Sequence, residues 1–191
     1  MTTSAAPRYY CDAAEHFVGT SGAEADPVYA GSRGAPGRVD GPRRKARFHG
    51  PRAVTEGGVS LLFVADTGNG AVRSIDTRAG VVNTVITLED ICTIVHVPEF
   101  TPSGLACDGE LLVIADTRNH VVWSYELRSY RLVLLAGSPG VHGDVDGAAE
   151  RARFWLPVAV ALADDGHGFV VSEARGRRLV SRSGDVRTLG R

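Results

Sequence analysis

The sequence predicts an all-β fold: about three four-stranded antiparallel sheets set side by side as blades of a β-propeller segment, either an open arc or part of a six-bladed ring. Three observations predict it. The chain repeats itself, the repeating unit is about 50 residues long, and each unit divides into four short Val-, Leu- and Ile-rich segments separated by Gly, Asp and Asn.

The repeat is visible without gaps. Sliding the chain by 106 residues lays 29–54 on 135–160, and 14 of 26 positions coincide. A slide of 50 lays LLFVADTGNGAVRSI (61–75) on LLVIADTRNHVVWSY (111–125), with 8 of 15 identical. A degraded copy, FVVSEARGRRLV, follows at 169–180, and Pro51, Pro102 and Pro157 mark the same point in each unit. The expected strands are 52–55, 61–65, 71–76 and 81–86, then 104–107, 110–115, 121–126 and 132–136, then 158–163, 168–172, 178–181 and 186–189. The runs 61–65 and 111–115 do not alternate with polar residues, so neighbouring sheets must cover both of their faces. Four-stranded sheets recurring at this spacing are propeller blades. The blades fall at about 51–86, 102–136 and 157–190, within a segment 28–191. Residues 28–32 read as a stray strand of a preceding blade. Residues 1–27 read as an irregular extension with a short helical turn at 12–18.

These residues carry a resemblance. The repeated LLFVADTGNGAV and LLVIADTRNHVV, with AGS-x-G-x-x-G-x-V-D-G-x-x-x-x-A-R-F in the connector, are similar to the NHL-repeat family of β-propellers over residues 28–190. The middle unit is most alike, with Asp116, Asn119 and His120 in the family's D-x-x-N-H arrangement. The first unit has Gly70 in place of the histidine, and the third has Glu173 and Gly176 where Asp and Asn are usual. The resemblance implies a ring of about six blades. Three blades leave end faces bare, so three outcomes stay open: a fragment of a longer propeller, a homodimer that completes a ring, or an open arc.

Composition narrows the function. Hydrophobic residues are 43% and charged residues 23%, which is globular rather than disordered. Lys plus Arg (21) nearly balances Asp plus Glu (22), excluding a bulk polycation. The N-terminus shows no basic flank with an apolar core, and no apolar run is long enough to span a bilayer. A membrane role is therefore not expected, and the cytoplasm is the favoured location. Three cysteines without C-x-x-C spacing read as isolated thiols.

Candidate chemistry is sparse. Asp66, Asn69, Asp116 and Asn119 read as turn formers, because Asx side chains bond nearby backbone amides. The Asp144-Val-Asp146-Gly147 segment resembles a calcium loop, but its copy at Asp40-Gly41 loses the other acids, so a turn or cap explains what they share. No phosphate loop, nucleophile elbow or histidine-ligand spacing occurs. No catalytic residue, metal or cofactor is therefore expected. In propellers the blade-to-blade connector and the turn between strands two and three share one face. That places Arg33, Arg38, Arg43, Arg44, Lys45, Arg118, His120, Arg175 and Arg177 near one rim. The first expectation is a non-enzymatic interaction module or scaffold that binds a protein partner through these loops. The resemblance implies two alternatives: single-stranded RNA on the Arg-rich loop face, as certain NHL propellers bind it, or metal-dependent lyase or hydrolase chemistry.

Overall fold

The computed structural model describes residues 8–22 and 26–190. They form four antiparallel sheets in chain order, the blades of a β-propeller. The first holds β1 (Tyr9–Asp12), β2 (Phe17–Thr20) and β3 (Val28–Gly31). The second adds a short β4 (Gly41–Pro42) outside a meander of β5 (Ala53–Glu56), β6 (Leu61–Asp66), β7 (Ala71–Asp76) and β8 (Val81–Ile86). A one-turn helix α1 (Leu88–Cys92) leads to the third, β9 (Pro102–Cys107), β10 (Leu111–Asp116), β11 (Val121–Glu126) and β12 (Arg131–Gly137). The fourth is β13 (Ala159–Leu162), β14 (Gly168–Glu173), β15 (Gly176–Ser181) and β16 (Val186–Leu189).

The unbroken apolar strands are explained by layers on both sides of each blade. Because side chains alternate along a strand, Val64 points into the layer shared with the first blade and Phe63 into the layer shared with the third. In the same way Ile114 joins Phe63, Leu105 and Trp123, while Val113 joins Val122, Phe169, Val171 and Val180. The inner strands come close: a Cβ on Gly104 of β9 would stand 2.5 Å from Ala159 Cα of β13, so only glycine fits there. All six residues of β9, flanked by β5 and β13, are buried. Among the described residues β13 packs on β9 alone of the inner strands, and Ala159, Ala161 and Leu162 are exposed. The run of blades among the described residues therefore begins at the first and ends at the fourth.

The N-terminal region corrects the sequence-based division. Residues 28–32 are not a stray strand, and 8–22 are not irregular. β1, β2 and β3 pair into one more blade; only 1–7 and 23–25 of the expected extension lie outside the described residues. Residues 12–18 turn from one strand into the next rather than forming a helix. Asp12-x-x-x-His16 reproduces the spacing Asp116-x-x-x-His120. Asp12 pairs with Phe17 as Asp116 pairs with Val121, and both pairings run on to a bulge one residue further. The strands are four residues long and bounded by polar turns, too short for their periodicity to stand out.

Candidate functional site

One end of the blades gathers the turns between second and third strands and the connectors to the next blade. Buried acids stitch the two together. Asp66 accepts the His49 amide at 2.7 Å and the Asn69 side-chain amide at 2.8 Å, and Asn69 also donates to Gly37 O. Asp116 accepts the Thr101 amide at 3.1 Å and Asn119 at 2.7 Å, and Asn119 donates to Glu99 O. Glu173 accepts the Trp155 amide at 2.7 Å. The intervening threonines tie blade to blade: Thr67 Oγ1 donates to Pro102 O at 2.6 Å and Thr117 Oγ1 to Pro157 O at 2.7 Å. These polar groups are committed to backbone geometry.

A second set of acids fastens the connector to the outer edge of its blade. Arg73 is fully buried, 2.8 Å from Asp66 and paired with Asp40. Asp40 also accepts the Thr84 amide of β8 at 3.0 Å. The fourth blade repeats this with Arg178, Glu173, Asp146 and the Thr188 amide of β16. Burial acts to raise the Asp40 and Asp146 carboxyls, but hydrogen bonds from arginine and threonine outweigh it and hold both below the usual range. The conserved feature of the two V-D-G connectors is thus an arginine latch.

The histidines serve turns as well. His120 sits at φ 59° and its Nδ1 accepts the Leu156 amide at 3.1 Å; His16, at φ 61°, accepts the Gly50 amide at 3.0 Å. Burial, then the neighbouring His142, lowers the His120 pKa. Among the described residues no group of three or more His, Cys, Asp or Glu is placed to hold a metal ion. Cys11, Cys92 and Cys107 are free thiols, and burial pushes Cys11 up to about 12.

The expected basic rim is divided. Arg38 and Arg118 line one cleft of about 500 Å³ between the second and third blades, with Glu89, Glu99 and Phe100. Arg118 pairs with Glu99 at 3.1 Å, so the cleft carries both signs of charge. His120 and Arg175 belong to a second cluster: Trp155 has the His142 ring at 4.2 Å and the Arg175 guanidinium at 4.1 Å. Arg177 lines a groove of about 250 Å³ on the last blade with Arg175 and Asp144. Arg33 lies over the Phe17 ring on the first blade. Arg44 lines a pocket with Arg33 and Asp26, so the Arg43–Lys45 tip stands with Arg33 and away from the cleft that Arg38 and Arg118 line. Pairing of Gly41 and Pro42 with β8 carries the connector along the outer edge, so the Arg43 amide donates to Gly80 O, beyond the opposite end of β7 from Gly70. Arg43 there covers the Tyr29 ring, and Arg44 pairs with Asp26 at 2.8 Å. Sequence reasoning missed Trp155 and His142. The two connectors differ at those positions, where His49 and Pro36 stand in the other copy, and a search for shared residues passes over them.

No family model matches the sequence, and no characterised protein matches it at the level of sequence. Solved structures do match. An auxiliary nutrient binding protein from Bacteroides thetaiotaomicron superposes with a TM-score of 0.58 at 17% identity, over 76% of this chain and 37% of that one. A chain of a nidogen/laminin complex gives 0.60 at 11% identity, over 92% and 56%. Virginiamycin B lyase from Staphylococcus aureus gives 0.62 at 10% identity, over 96% and 51%. At these identities the likeness is one of fold, and this chain spans about half or less of the length of each.

Proposed function

We propose that this chain is a binding module of the NHL-like propeller type that engages a protein partner through its loop-bearing face. The observation that supports it is the division of labour there. The carboxylates, Asn side chains and His120 Nδ1 hold turns, while the half-buried Trp155 ring, met edge-on by His142 and covered by Arg175, and the exposed Arg38 and Arg118 of the cleft do not. Tryptophan and arginine are the residues that anchor protein interfaces most often. Solved propellers of the same fold include a nutrient-binding protein and a chain in a laminin complex, in keeping with a binding role. RNA is less well supported, because Arg43, Arg44 and Lys45 stand apart from Arg38 and Arg118. The test is affinity capture with the wild-type chain beside Trp155→Ala and Arg38→Ala/Arg118→Ala variants. The reading expects a captured protein that both variants lose. Capture unchanged in both variants, or salt-sensitive RNA retention in its place, overturns it.

A further inference from the structure

The chain enters its blades in two ways, and a histidine goes with one of them. In the second and fourth blades the residue whose amide meets the buried acid, His49 or Trp155, stands two positions before the strand-leading Pro51 or Pro157. The residue between, Gly50 or Leu156, lies in the left-handed region, at φ 55° and φ 53°. Its amide donates across the junction to a histidine of the preceding blade: Gly50 to His16 Nδ1 at 3.0 Å and Leu156 to His120 Nδ1 at 3.1 Å. In the third blade Thr101, whose amide meets Asp116, runs directly into Pro102, and Gly70 stands at the position of the histidine. Histidine and left-handed residue are present together or absent together. The imidazole is therefore there to hold that residue. It can do so only while Nδ1 is unprotonated, since both nitrogens of an imidazolium are donors.

We infer that the junctions between the first and second and between the third and fourth blades are acid-sensitive hinges, in which protonation of His16 or His120 removes the acceptor and frees the segment entering the next blade. The junction between the second and third blades has no imidazole to lose. The surroundings oppose a charge on His120. The His142 ring on the connector lies 5.5 Å away, and Arg175 of the fourth blade covers the Trp155 ring that His142 meets. Acids of the same junction are occupied: Glu99 by Arg118 on the same turn, Asp116 by Asn119 and Trp123, and Asp144 and Glu173 by Arg178. Burial and then His142 hold the His120 pKa below its ordinary value. The bond is thus intact above the unfolded histidine value of about 6.5 and is lost as pH falls through the depressed folded value. Strain lowers the cost of opening there, because a leucine rarely occupies φ 53° and leaves it once its amide is released, whereas Gly50 stores no such strain. Release is confined to the residues before Pro157, whose carbonyl Thr117 Oγ1 continues to hold. His16 faces the His49 ring at 5.4 Å, with Arg33 of the connector over the adjoining Phe17 ring. Glu15 stands beside it on the same turn, and Asp12 accepts the Glu15 amide.

The experiment is residue-resolved amide hydrogen exchange on the full chain between pH 5.5 and 7.5, corrected for the intrinsic pH dependence of exchange. Protection of the Leu156 and Gly50 amides should fall by up to about tenfold towards the acid end, the limit reached when only the open segment takes up the proton, at about 6.5. The Thr117 amide, bonded to Thr101 O at the entry to the third blade, should not change. His120→Asn keeps the acceptor, because the asparagine side-chain oxygen stands as many bonds from Cβ as Nδ1 does and asparagine tolerates φ 59°. It should abolish the change at Leu156 and leave that at Gly50. Constant protection at either residue, or a change at Leu156 that persists in His120→Asn, overturns the inference. An equal fall at Thr117 overturns it too, since acid would then be loosening every junction alike.

Discussion

The second and fourth blades hold their buried acid with arginine, and the third holds it with tryptophan. Arg73, Trp123 and Arg178 occupy one position of the third strand and all reach the acid that ends the second strand. The connectors explain the choice. Those before the second and fourth blades bring Asp40, or Asp144 and Asp146, onto the guanidinium, so the buried cation meets two carboxylates in the second blade and three in the fourth, with the facing carbonyls Arg47 O or Arg153 O. The connector before the third blade forms α1 instead. There Asp116, already bonded by the Thr101 amide and Asn119, takes one further donor, and the indole N–H supplies it at 3.1 Å without a second charge to desolvate. Charge at this position follows the number of acids the connector delivers.

Removing the acid should separate the two kinds of blade most strongly. Asp66→Ala leaves Arg73 buried with only half-exposed Asp40 to compensate, and should cost about 3–5 kcal/mol in urea unfolding. Asp116→Ala strands the Thr101 amide and the Trp123 and Asn119 donors but no charge, and should cost about 1–3 kcal/mol. Equal losses would break the comparison.

Trimming the donor probes the same difference more gently. Trp123→Phe keeps an aromatic ring in the layer with Phe63, Leu105 and Ile114 and removes one hydrogen bond, so about 1–2 kcal/mol is expected from the same measurement. Arg73→Met should cost more, because Asp66 and Asp40 then face each other without a cation. A smaller loss for Arg73→Met would mean the latch contributes little to folding.

Much of the fold was legible because the repeat preserves the residues that make backbone geometry. Expected and observed bounds coincide at 71–76, 81–86 and 121–126. The first blade was not legible, because it keeps Asp12 and His16 but has Gly19 where the others place Arg73, Trp123 or Arg178, with the Tyr10 ring in the space a side chain would fill. The loop-face residues were half legible. Arg38 and Arg118 lie apart in sequence yet line one cleft. The reading of connectors as loops on one face did not separate Arg43, Arg44 and Lys45, which stand with Arg33, from the cleft of Arg38 and Arg118. It had no means of seeing that two residues, Gly41 and Pro42, pair with an outer strand and carry the tip along the edge. Nor does a repeat reveal the latch: Asp40 and Arg73 are 33 positions apart, and only the fold shows that they are partners.

The smallest effect expected is on the pH dependence, where the connector acid of the latch and the buried acid that ends a second strand should differ in sign; Asp66, though beside Arg73, is raised by burial as Asp116 is. Hydrogen bonds from Arg73 and Thr84 hold the Asp40 carboxyl below its ordinary range despite burial. Its contribution to stability is therefore full above the unfolded carboxyl value of about 3.9 and is lost as pH falls through the depressed folded value. Asp116 is the reverse. Burial raises its pKa and outweighs the bonds from Asn119, Trp123 and Thr101. Its contribution is full below about 3.9 and is lost as pH rises through the raised folded value. Asp40→Asn should thus flatten the acid limb of a stability–pH curve, and Asp116→Asn should steepen it, with the intact latch in the fourth blade as an internal reference. Urea midpoints taken between pH 3 and 6 would show the two slopes diverging; slopes that change in the same direction would mean that both acids respond to burial alone and that the arginine has no bearing on the titration.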